Sequence, residues 1–441
     1  MKKFSKVVAV ILAVLMFATL ATACGGTDTP APAPASPPPA PDTSQQTQEP
    51  ANTPDTPSQP VELPPDVVPS GEYHIGIATL GYEQSEDEIR GAEALVEQFG
   101  SVDKGGIVKH VVLPANFAEE QETVITNIAG FADDPLMKAV IVNQGIPGTA
   151  AGFQKIRDAG RDDIILLTSM PQDDPNVISK VCNVIVNSND FGRGYYDILR
   201  AKEMGATTFV HMSFPRHMSV ETLSRRRNMF EVACNDMGIE FVFVTVPDPA
   251  SDVGVAGAQQ QVFDMMPRLI DQYGKDTIYF TTNTALHEPI IQRVAELGGM
   301  FLNQDDMSPN CGYPGALGLD LSAQIGDWWA MTLEIEKVIV GMGQSGRMGT
   351  WPYSYLYCGT TGLFQLAVDM IEGRSTGSQD DVMAAFQALT PGCDWVPEIF
   401  TDATGKTIDN YYLLSMETYI FGKGFTHVLD QPIPEKYYSI T

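Results

Sequence analysis

From Gly71 onward the chain alternates short β-branched runs with amphipathic segments, and this alternation limits the fold more than any other feature. The runs YHIGIATL, IVKHVVL, KAVIVNQ, DIILLTS and VCNVIVN are each followed by polar or glycine-containing residues. Between the first two, SEDEIRGAEALVEQFG puts Ile89, Ala92, Val96 and Phe99 on one helical face. Ser85, with Glu88 three residues on, reads as a capping box that starts this helix just beyond the first strand. Strand, helix, strand in that order predicts a parallel sheet covered on both faces.

After NSNDFGRGYYD, Asn187 to Asp197, the pattern begins again. TTFVHMSF, IEFVFVTVP and TIYFTTN read as strands, with helices in MSVETLSRRRNMFEVACNDMG and ALHEPIIQRVAELGG. Residues 71–441 exceed what a single hydrophobic core usually holds. The expected architecture is therefore α/β, with two Rossmann-like lobes built on parallel sheets. Residues 71–189 form the first lobe and 190–321 the second, with Asn187 to Phe191 as the crossing between them. No short-period repeat supports a solenoid or propeller.

The amino terminus bears on location. A basic MKKFSK, an apolar VVAVILAVLMFATL and then ATAC follow the order of an export signal, residues 1–23. Ala21-Thr22-Ala23-Cys24 resembles the lipobox of bacterial lipoproteins, which implies a lipid on Cys24 that anchors the protein to the cell membrane from outside. Ala21 departs from the Leu usual in that motif. Residues 24–70 contain 14 of the chain's 31 prolines and no Lys or Arg. Such a segment cannot bury a core and reads as a disordered, semi-rigid tether.

Three stretches resemble the type I periplasmic binding protein family, which shares its fold with the ligand-binding half of LacI-like repressors. The first is a strand, a polar crossing and DFGRGYYD. The second is SRRRNMFEVACNDMGIEFV, with Arg226 and Phe230 at the family's Arg and Phe positions and Met229 where Gly is usual. The third is FTDATGKTIDNYYLL, like the family's late hairpin. A branch of Gram-positive surface lipoproteins is similar. The resemblance implies a multi-strand hinge, a segment near 322–350 returning to the first lobe, and part of 351–441 joining the second.

Charge and motifs narrow the function. With 27 Lys and Arg against 55 Asp and Glu, the net charge is −28 at pH 7, which disfavours nucleic acid as a partner. TGKT at Thr404–Thr407 lacks the first glycine of a phosphate loop, since Phe400 stands there, and reads as a hairpin turn. GIATLG, Gly76–Gly81, reads as a strand-to-helix turn rather than a dinucleotide fingerprint. Glu86, Asp87 and Glu88 sit on a first helical turn, where they favour the positive end of the helix dipole. The histidines show no metal-ligand spacing, and no GxSxG occurs. The five cysteines after Cys24 read mostly as buried thiols, with room for one disulfide.

In parallel α/β sheets, ligands sit beyond the carboxyl ends of the strands. Those ends supply Thr79, Tyr82, Gln84, Asn143, Gln144, Thr168, Ser169, Phe214, Arg216, His217 and Asn283, and the crossing adds Asn189 and Asp190. Tyr82, Phe214 and Trp351 offer flat faces for a sugar ring or a base, Trp351 from a glycine-flanked loop. Arg216 would pair with a ligand carboxylate or with Asp190. The set holds no nucleophile with its base, so binding is favoured over catalysis, with no cofactor or metal.

The expected function is a solute-binding lipoprotein that captures a small polar ligand, of the sugar, amino-acid derivative or nucleoside class, for an ABC permease. A ligand-sensing surface receptor working with a membrane kinase or chemoreceptor is the alternative. An exported enzyme ranks third.

Overall fold

A computed structural model describes residues 72–303, 308–324, 326–393 and 395–440. The signal, the tether and Cys24 lie outside the described residues. The first alternation gives β1 (His74–Thr79), α1 (Glu86–Phe99), β2 (Val108–Val112), α2 (Gln121–Ala129), β3 (Met137–Val142), α3 (Thr149–Asp158), β4 (Ile165–Ser169), α4 (Pro175–Ile178) and β5 (Val184–Ser188). These strands pair in parallel. Successive side chains on a strand face opposite ways, and here both faces are apolar. Ile75, Ile77 and Ile141 enter the layer that contains Leu95 of α1, whereas Ala78, Val140 and Val142 enter the layer that contains Phe131 and Phe153. Gly76 lies within β1 rather than in a turn, and its lack of a side chain makes room for the Phe131 ring, which would stand 2.5 Å from a Cβ there.

The start of α1 differs from expectation. Ser85 is the cap residue by position, but its hydroxyl makes no capping bond. Glu88 is buried and its carboxylate accepts the backbone N–H of Leu80. Asp87 is buried too, accepting from Asn310 Nδ2 at 2.8 Å. Two of the three acids on this turn thus serve tertiary contacts rather than solvent.

The second alternation gives α5 (Asp190–Glu203), β6 (Thr208–Ser213), α6 (Pro215–Met218), α7 (Glu221–Met237), β7 (Glu240–Thr245), α8 (Gly254–Tyr273), β8 (Thr277–Thr281), α9 (His287–Leu297), β9 (Met300–Asn303), α10 (Tyr313–Leu317), α11 (Trp328–Gly341) and β10 (Met348–Thr350). The remainder forms α12 (Tyr355–Ile371), α13 (Gln379–Ala388), β11 (Trp395–Thr401), β12 (Thr407–Met416), β13 (Tyr419–Ile420) and β14 (Gly424–Phe425). Among the described residues two seven-stranded sheets result, ordered β11-β12-β5-β4-β3-β1-β2 and β14-β13-β10-β9-β8-β6-β7.

The carboxy-terminal third corrects the expected lobe assignment. Residues 328–350 stay on the second lobe: β10 pairs with β9 and β13, Trp329 of α11 packs on Tyr419 at 5.2 Å, and Glu336 accepts the Tyr419 hydroxyl at 2.8 Å. The element that returns to the first lobe is α12, which packs on α1, β3 and β4. The hairpin β11–β12 follows, with β12 parallel to β5. The chain therefore crosses between lobes after β5, after β10 and after β12. Helix α11 is apolar over most of its surface, so its periodicity gave no direction. TGKT does form the hairpin turn, with Gly405 at φ 86° and Asp402 accepting the N–H groups of Thr404 and Lys406.

Met229, at the position where glycine was expected, is accommodated from the other side. Gly194 of α5 faces it, and a Cβ at 194 would stand 2.6 Å from the Met229 Cβ. The close approach of α5 and α7 is kept, with the small residue on the other helix. Cys182, Cys234 and Cys358 are buried free thiols.

Candidate functional site

The carboxyl ends of both sheets converge on a cavity of about 50 Å³. Of the residues expected there, Gln84, Gln144, Asp190, His217 and Asn283 line it. Gln84 donates to the Ala115 carbonyl at 3.2 Å. Gln144 sits at φ 49°, and its side-chain amide nitrogen finds no acceptor among the described residues. Asn283 caps the turn at Thr284–Leu286 by accepting the Ala285 N–H at 3.1 Å. Leu80 and Thr282, at the same expected strand ends, also line the cavity, as do Phe117, Gln172 and Thr222, which were not among the expected contacts. Phe117 and Gln172 lie in loops only a few residues past β2 and β4, so a wider window at each strand end would have included them.

The charged groups of the site are paired within the protein. Asp190, at the start of α5, accepts from Arg193 and, at 2.6 Å, from Arg226 of α7. All three side chains are buried. Arg216 does not meet Asp190 as expected; it forms a two-pronged pair with Asp248, at 2.7 and 3.0 Å. His217 is buried against Phe214, ring centroids 4.2 Å apart, with Nδ1 3.1 Å from the Thr282 hydroxyl. Burial, with Arg216 and Arg226 nearby, holds its imidazole well below the usual range, so it stays neutral at physiological pH.

The other expected residues do not line this cavity. The Thr79 hydroxyl meets His110 Nε2 at 2.8 Å, and Thr168 donates to the Val142 carbonyl at 2.8 Å. Asn143 is turned to α12, donating to the Leu356 carbonyl at 2.7 Å and to the Thr360 hydroxyl at 2.6 Å. Ser169 is buried. Asn189 caps α5 by accepting the Gly192 N–H at 2.8 Å. Phe214 is buried behind His217. Tyr82 is half exposed and donates to Glu93, with Arg90 over its ring. Trp351 is not on an open loop: it is 1% exposed, 5.6 Å from the Trp395 ring and 6.1 Å from Tyr355. Helix α12 and the β11–β12 hairpin build this aromatic core around it.

Contacts between lobes ring the cavity. Arg216 Nη1 donates to Gln172 Oε1 of the first lobe at 2.7 Å, and its guanidinium lies 5.1 Å from the Phe117 ring centre. Arg225 donates to the Thr401 carbonyl at 2.8 Å, while Glu221 accepts the Ala403 N–H at 2.9 Å. The tip of the β11–β12 hairpin is thereby bound to α7.

Two α/β lobes on mostly parallel sheets, joined by three crossings and facing each other at the carboxyl ends of their strands, make the type I periplasmic-binding-protein fold. The chain belongs to the family described as protein of unknown function (DUF3798), matched over residues 73–349. An uncharacterised protein of Treponema pallidum (strain Nichols) is 42% identical over 182 residues, which cover 41% of this chain and 81% of that relative. Among solved structures, a putative transcriptional regulator from Clostridium difficile 630 superposes with a TM-score of 0.62 at 23% identity, over 79% of this chain and 99% of the other. A substrate-binding protein of a sugar ABC transport system from Bordetella parapertussis 12822 superposes with a TM-score of 0.50 at 13% identity, over 85% and 95%.

Proposed function

We propose that this protein is an extracytoplasmic solute-binding protein that encloses a neutral, polar small molecule between its lobes and delivers it to an ABC permease. The observation that carries the reading is the pairing of charges around the cavity. Asp190 is balanced by Arg193 and Arg226, Arg216 by Asp248, and His217 is held neutral. What the wall offers a ligand is amide and hydroxyl groups, from Gln84, Gln144, Gln172, Asn283, Thr222 and Thr282, beside the apolar Leu80 and Phe117. Burying an ionised ligand without a counter-charge is costly, so sugars, polyols and nucleosides rank above amino-acid derivatives. The role of the Bordetella protein, substrate binding for a sugar transport system, supports the same direction.

The cavity of about 50 Å³ is far below the 300 Å³ or more of typical small-ligand pockets. Loading thus requires the lobes to separate about the three crossings, and ligand contacts to both lobes supply the differential affinity that favours reclosure. A lipid on Cys24 would keep the protein beside its permease.

The test is a thermal-shift screen of the full chain against monosaccharides, polyols, nucleosides and amino acids. A ligand at one hundred times its dissociation constant adds about 2.7 kcal/mol of stability. A response confined to neutral polyhydroxylated compounds is expected; a response to amino acids alone would overturn the assigned class. For the anchor, incorporation of an alkynyl fatty acid that disappears in Cys24→Ala is expected, and labelling that persists would refute it.

A further inference from the structure

A second cavity, of about 400 Å³, shares no lining residue with the first. One wall comes from the first lobe, through α1 and Tyr357 of α12, and the other from residues 310–331 of the second. Its apolar surface includes Trp328, Tyr357, Met331 and Leu321, each at least nine-tenths buried. Trp328 and Tyr357 meet edge to face at 5.3 Å. The polar lining is acidic: Glu86, Glu93, Glu97 and Asp320 stand around it with Arg90 as the one lining cation among the described residues, and Arg90 is already paired with Glu86 at 2.5 Å.

We propose that this cavity is a second ligand site, for an organic cation with a compact aromatic or aliphatic body. The carboxylates attract the ammonium, and the electron-rich rings of Trp328 and Tyr357 favour a cation beside them. Arg90 remains tied to Glu86 and leaves the site net negative. Because the two walls belong to different lobes, a ligand held here acts on the same opening motion as the cleft. Whatever affinity change it imposes on the cleft ligand, that ligand imposes in return.

The experiment uses the full chain with tyramine as the probe, and with its neutral analogue 2-(4-hydroxyphenyl)ethanol and its anionic analogue 4-hydroxyphenylacetate, followed by calorimetry and tryptophan fluorescence. Tyramine is expected to bind saturably and at least about tenfold more tightly than either analogue, a gap of about 1.4 kcal/mol. Its affinity should fall as salt rises. Glu97→Gln combined with Asp320→Asn, both exposed side chains whose loss leaves the fold intact by circular dichroism, should weaken it severalfold. Trp328→Phe should remove the fluorescence response. Absence of saturable tyramine binding, equal binding of the anionic analogue, or affinity unchanged in the Glu97→Gln, Asp320→Asn variant would each overturn the proposal.

Discussion

Replacing Asp190 with Asn tests the electrostatic logic of the hinge and cleft together. The Asp190 carboxylate is 4% exposed and accepts from two guanidinium groups that are themselves 2% exposed, for Arg193, and fully buried, for Arg226. Asparagine keeps the size but removes the charge both arginines share. Breaking a buried ion pair from one side typically costs about 3–5 kcal/mol, because the remaining charge stays out of water. Asp190 also opens α5, where a negative group gains roughly 0.3–1 kcal/mol from the helix dipole. For a cooperative unit of 150–250 residues, losing the ion pair alone corresponds to a fall of roughly 6–20 °C in Tm. Urea unfolding followed by circular dichroism measures the loss directly. Glu334→Gln is the internal control: its pair with Lys337 lies at the surface, with both side chains at least 40% exposed, and such pairs contribute about 0–1 kcal/mol. Arg226→Met should cost less than Asp190→Asn, since Asp190 keeps Arg193. A loss below about 1 kcal/mol in Asp190→Asn, equal to the surface control, would refute the assignment of a charge-balanced, desolvated cluster.

Three further outcomes follow from named contacts. Burial raises the pKa of Asp87, against hydrogen bonds from Ser308, Ser354 and Asn310 that lower it. The folded state then holds the proton to higher pH than the unfolded one, so stability falls as pH rises from about 4 towards the folded value. Urea melts across this range should show wild type losing ground to Asp87→Asn with rising pH, and a constant difference would contradict the burial argument. Gly194→Ala forces a Cβ to within 2.6 Å of the Met229 Cβ; a cost of about 1–3 kcal/mol by thermal unfolding, partly recovered by adding Met229→Gly, which removes that Cβ, is expected, and full additivity of the two would argue against direct contact. Gln172→Ala removes the acceptor that holds Arg216 across the lobes at 2.7 Å. A hydrogen bond to a charged group contributes about 1.5–3 kcal/mol, so the ligand-free radius of gyration should rise in small-angle scattering, and a superposable profile would show that this contact does not hold the lobes closed.

The strands were legible because a parallel sheet covered on both sides demands apolar residues at consecutive positions, and runs such as KAVIVNQ have no other economical use. The crossing at Asn187–Asp190 was legible as the polar break between two such series. Strand ends led to Gln84, Gln144, Asp190, His217 and Asn283 for a similar reason, since the chain must leave the sheet there. Asn143, Phe214 and Trp351 resisted the same rule because their surroundings are set by distant segments. Asn143 is claimed by Leu356 and Thr360 of α12, and Trp351 by Tyr355 and Trp395. Ser85 and Glu88 fit a local capping pattern, yet Glu88 is more useful to the Leu80 amide. The lobe of α11 could not be read from a helix apolar over most of its circumference.

The threefold crossing of the chain also governs how the molecule comes into being. Ile185–Ser188 of β5 must await Tyr411–Leu414 for their outer partner, and 224 positions separate Asn187 from the Tyr411 hydroxyl it bonds. Neither lobe is a contiguous stretch, so a growing chain released at its amino end first carries an open, apolar strand edge until almost the last residues arrive. Such non-local closure makes folding slow and leaves the intermediate prone to edge-to-edge association. A fragment ended before Trp395 would keep that edge permanently, and would report on the hazard by aggregating where the whole chain does not.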